Sequence, residues 1–70
     1  MNVFEEAERI KNRIRTCATR EQVAAVVDAE RGAFQTLKTA SADGATMAIQ
    51  IQNLKSMKLS EFTQKQTRAA

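Results

Sequence analysis

The stretch VFEEAERIKNRIRTC, residues 3–17, decides the fold. Val3, Ala7, Ile10, Ile14 and Cys17 follow one another at steps of four, three, four and three. That spacing returns each apolar side chain to one face of a 3.6-residue helix. Glu5, Glu6 and Glu8 sit in the first turns, where the positive end of the helix dipole favours carboxylates. The stretch therefore predicts an amphipathic helix over residues 3–17, with one face committed to a core.

Downstream, Thr19-Arg20-Glu21-Gln22 has the form of a capping box, a threonine followed three residues later by glutamine. A second helix is expected over 20–40. Its apolar stripe is Val23, Val26, Val27, Ala33, Phe34, Leu37 and Ala40, and Glu30 interrupts that stripe where an apolar residue is expected. A carboxylate so placed reads as a rim or interface residue paired with a lysine or arginine. Ala25, Ala29, Gly32 and Ala33 make an adjoining strip of small side chains. Glycine inside a helix costs about 1 kcal/mol relative to alanine, which suggests close approach of another helix at Gly32. With Phe34, this strip is the expected dimer interface.

Ser41-Ala42-Asp43-Gly44 reads as a turn, since Asp-Gly favours one. A third helix follows over 45–62. Met47, Ile51, Leu54 and Phe62 share one face, flanked by Ala48, Met57 and Leu59, while Ile49 points nearly the opposite way. MAIQIQNL alternates like a strand, but no second strand signal exists to pair with it. The fold class is thus all-α: a three-helix hairpin-type domain with helices near 3–17, 20–40 and 45–62. Residues 1–64 form one domain, and the polar tail 65–70 is expected to fray.

Composition narrows the chemistry. The chain has 70 residues, a single cysteine and no histidine or proline. A core this small gives about 3–5 kcal/mol unless staples or partners add to it. One cysteine permits no internal disulfide, and one thiol without histidine makes no zinc site. Self-association is the remaining route to more buried area, and a homodimer is expected. The acidic start MNVFEEAER carries no apolar leader, and no run approaches the length of a membrane span, so a cytoplasmic protein is expected. No cofactor is implied, because Gly32 and Gly44 are isolated and form no phosphate loop. Without histidine, and with no base placed near Cys17, catalysis is not expected.

The cations of the first helix raise the alternative of nucleic acid. Eleven lysines and arginines against eight acids give a net charge of +3. Arg9, Arg13 and Arg20 lie along one side of the helix and Lys11 and Arg15 along another, so they flank the apolar face instead of forming one stripe. Glu5 is four residues before Arg9, and Glu8 three before Lys11; such pairs contribute about 0.2–0.5 kcal/mol each and keep a helix soluble. The second helix opens REQVAAVVDAE, too apolar and acidic for a groove reader. Gripping of phosphates by Arg9, Arg13, Lys55 and Lys58 stays open as non-specific binding.

The pattern Ile14…Ala18-Thr19-Arg20-Glu21-Gln22-Val23, followed by a second helix and a turn, resembles small helical accessory proteins of temperate and transposable, Mu-like phages. The resemblance implies an accessory protein that binds a host or phage macromolecule. The reading of function is accordingly a non-catalytic interaction module that inhibits or adapts another protein through an apolar helix face with a basic rim. Ile49, Met57 and Leu59, with Arg9 and Arg13, are its candidate partner contacts. A nucleic-acid-binding regulator and a phage structural subunit are the alternatives.

Overall fold

The computed structural model describes residues 2–69, with side chains described through Thr63. It is all-helical among those residues: α1 (Val3–Arg15), α2 (Arg20–Ala29), α3 (Arg31–Ala40) and α4 (Ala42–Ala69). The first helix forms where the stripe predicts. Asn2 caps it, its Oδ1 accepting from the backbone N–H of Phe4 at 3.0 Å and of Glu5 at 3.1 Å. Ala7, Ile10 and Ile14 are buried, as is Cys17 just beyond the helix end. The Cys17 thiol donates to the carbonyl of Arg13 at 3.2 Å, one turn back.

The capping box at Thr19 forms in a shifted version. Thr19 Oγ1 accepts from the N–H of Gln22 at 3.1 Å. Gln22 Oε1 reaches back to the N–H of Ala18, one residue before the cap, at 2.6 Å. Donors that the first turn of α2 would leave unsatisfied thus acquire partners.

The single helix expected over 20–40 is two helices, which makes four where three were expected. They meet at Glu30, whose backbone (φ −97°, ψ 9°) leaves the helical region for one residue. The run contains no proline, and the ladder continues on both sides: Glu30 N–H bonds Val26 O at 2.9 Å, and Phe34 N–H bonds Glu30 O at 2.8 Å. The local sequence near the joint includes Gly32, a weak helix former. At this joint the Glu30 side chain is buried and held by two arginines of α1.

The turn expected at Asp43-Gly44 is also corrected. The only residue between α3 and α4 is Ser41, fully extended (φ −169°, ψ 173°), and Asp43 and Gly44 lie inside the first turn of α4. Ser41 Oγ accepts from the N–H of Gly44 at 3.0 Å, so serine is the start signal. Gly44 is required for a different reason. A Cβ there would stand 2.1 Å from the carbonyl oxygen of Leu37, so only glycine lets α3 and α4 come this close. At Gly32 an added Cβ would meet nothing within 4 Å, so no approach inside the monomer explains that glycine.

The 28 residues of α4 rise about 42 Å and match the long dimension of the 44 × 18 × 15 Å molecule. α1 runs beside α4 in the same direction: Lys11 Nζ donates to Gln50 Oε1 at 2.6 Å, and Lys58 Nζ to the carbonyl of Arg15 at 3.0 Å. α3 folds back antiparallel to α4 after Ser41. The core is Ala7, Ile10, Ile14, Leu37 and Ile51, ringed by Val3, Val26, Ala33, Phe34, Met47 and Leu54. Ile14, Leu37 and Val23 are the largest side chains fully withdrawn from solvent. The polar tail at 65–70, expected to fray, lies outside the residues whose side chains are described. No helix among the described residues is long and apolar enough to cross a membrane.

Candidate functional site

A groove of about 260 Å³ opens where α1, α2, α3 and α4 converge. Its apolar lining comes from every helix: Ile10 and Ile14 of α1, Val26 and Val27 of α2, Phe34 of α3, and Ile51 of α4. Ile10 and Ile14 are successive members of the α1 stripe, one turn apart, and both are withdrawn from solvent. Phe34 and the two valines stay half-buried, so the groove keeps an apolar surface that the core does not use. Its rim is polar: Glu30, Arg31, Gln35, Gln52 and Lys55.

Charge around the rim is unevenly balanced. Arg9 Nη1 donates to Glu30 Oε2, and Arg9 Nη2 to Glu30 Oε1 at 3.0 Å, a bidentate pair. Arg13 Nη1 adds a third hydrogen bond to Glu30 Oε2 at 2.7 Å, and Arg9 also bonds Glu6. The Arg9 guanidinium, supported by Arg13 and opposed by burial, pulls the Glu30 carboxyl down to about 2. Glu6 is lowered by its hydrogen bond to the same guanidinium, and the two carboxylates raise Arg9 above its ordinary value. This cluster of two cations and two anions is internally neutral. Arg31 pairs with Asp28 at 3.1 Å, with both side chains 77% exposed, which is a weak surface contact. Lys55, half-buried on α4, leaves the rim a positive excess.

The candidate partner contacts separate in space. Ile49 and Met57 are 62% and 61% exposed, on the side of α4 away from the core. Leu59 is half-buried and lines a shallow hollow with Val23, Val27 and Lys55, beside the groove and away from Ile49. Arg9 and Arg13 are half-exposed and engaged with Glu30, as the pairing expected for that carboxylate anticipated. Of the expected dimer strip, Ala25, Ala29 and Gly32 are exposed, whereas Ala33 and Phe34 turn inward against the core.

Sequence reasoning missed the groove itself. Its lining residues belong to three separate expected stripes, and no local signal says that those stripes meet imperfectly. Only Glu30 marked the place, as a carboxylate in an apolar line. Comparison with family models, curated proteins and solved structures finds no match to this chain.

Proposed function

We propose that this chain is a non-catalytic interaction module that seats an apolar segment of another protein chain in the groove, with Lys55 and Arg31 facing acidic residues of that segment. Binding of this kind would block or adapt the protein that carries the segment. The observation that carries the reading is a groove with an apolar lining and a cationic rim where all four helices converge. Helix-in-groove recognition works through such surfaces, with apolar anchors one turn apart and charges around them.

The cations of α1 favour protein over nucleic acid. Arg9 and Arg13 are occupied by Glu30, Arg15 bonds Glu8 at 2.7 Å and Asn12 at 2.8 Å, and Lys11 bonds Gln50. A phosphate backbone would have to displace those partners before it released any counterions.

Selection from a displayed library of random peptides tests the reading. Enriched sequences are expected to carry two apolar residues one turn apart with acidic neighbours, and Val27→Glu is expected to abolish their binding. Failure to enrich any such pattern, together with salt-sensitive binding of a labelled DNA duplex, would overturn it.

A further inference from the structure

The chain itself carries a segment of the kind the groove is suited to take. Phe4 stands in the first turn of α1 with 56% of its surface exposed, among the most exposed large apolar side chains described. The Asn2 cap holds this turn in regular helix, so the ring projects from a fixed position. Glu5, exposed, follows it directly. Glu8 lies one turn further along the same side, exposed and bonded to Arg15.

This ring does not enter the groove of its own molecule. Phe4 and Ile10 are six residues apart on α1, which places them about 120° apart around the helix. Ile14, the other groove residue of α1, is about 80° from Phe4 by the same count, so the ring stands to one side of the groove and is not among its lining residues. A second copy has no such restriction. It presents an aromatic anchor beside a carboxylate to an apolar groove with an excess positive charge at its rim.

We infer that a second copy of this chain occupies the groove, inserting Phe4 between Val27, Phe34 and Ile51 and setting Glu5 against Lys55. Each copy carries both halves of the contact, and in the dimer the two copies exchange them about a two-fold axis. Aromatic anchors in desolvated pockets supply most of the energy of such contacts, and the flanking charges set orientation. The inference rests on the reading that the groove receives a protein segment, and it names that segment.

Size-exclusion chromatography with light scattering on the full chain, over a micromolar dilution series, is the test. The expected result is a dimer. Phe4→Ser and Val27→Glu should each weaken it about tenfold or more. Phe4 is exposed, so Phe4→Ser should leave the helical circular dichroism of the monomer unchanged. Glu5→Lys and Lys55→Glu should each weaken the dimer, and the two combined should restore it. A monomer throughout the series, or a dimer indifferent to Phe4→Ser, overturns the inference. A monomer that still takes acidic peptides in the groove overturns the second copy alone; a monomer that takes none overturns the groove reading as well.

Discussion

Arg9 on α1 clasps Glu30 with both of its terminal nitrogens, twenty-one residues away, at the residue where α2 gives way to α3. The clasp joins the first helix to the joint between the next two. It also brings a carboxylate into an otherwise apolar wall with its charge answered.

This relationship has a pH signature. Glu30 titrates near 2 in the folded chain, against 4.5 for the free side chain. Its stabilisation is complete above the unfolded value and is lost as pH falls from about 4.5 through about 2. The arginines are half-exposed, so solvent screening reduces the contribution to about 1 kcal/mol. Urea unfolding at pH 7 and pH 3 is expected to show part of that loss, since pH 3 lies between the two values, and Glu30→Gln should remove most of the difference. A pH dependence unchanged in Glu30→Gln would contradict the assignment.

The two glycines should respond in opposite ways. Gly44→Ala forces a methyl against the carbonyl oxygen of Leu37 and should cost about 1–3 kcal/mol. Gly32→Ala meets open space in a helix and should stabilise by about 0.4–1 kcal/mol. Thermal melts of the two variants check both signs.

Leu37 is fully withdrawn from solvent at the centre of the core. Leu37→Ala should cost about 2–5 kcal/mol, comparable to the whole stability of a core this size. The variant is expected to be largely unfolded by far-ultraviolet circular dichroism at 37 °C. A cooperative melt near that of the parent would show that the centre of the core lies elsewhere.

Thr19 accepts from Gln22 at the start of α2 and lies exposed, so its removal tests the cap with little effect on packing. Thr19→Ala should cost about 1 kcal/mol, and Thr19→Asp should recover most of it. Denaturant midpoints for the pair measure this directly.

Much of the fold was legible because it is local. The α1 stripe, the Thr19 cap and the apolar side of α4 are written in residues within a turn or two of one another. The α2–α3 joint was not legible, because the apolar stripe from Arg20 to Ala40 runs on through it and the partners of Glu30, Arg9 and Arg13, belong to another element. Asp43-Gly44 misled for a related reason. A glycine demanded by the nearness of the Leu37 carbonyl looks, in sequence, like a glycine demanded by a turn. The candidate site was the least legible part, since its apolar lining belongs to four helices and only their assembly leaves a gap.

The joint at Glu30 has a bearing on how this shape can change. Most elbows between helices are spelled out by proline or by a flexible spacer, and altering them means altering the spacer. Here the residue at the joint is held by cations that belong to a different helix. Replacing one of those cations would leave every residue of the jointed segment in place and still strip a partner from the carboxylate at its elbow.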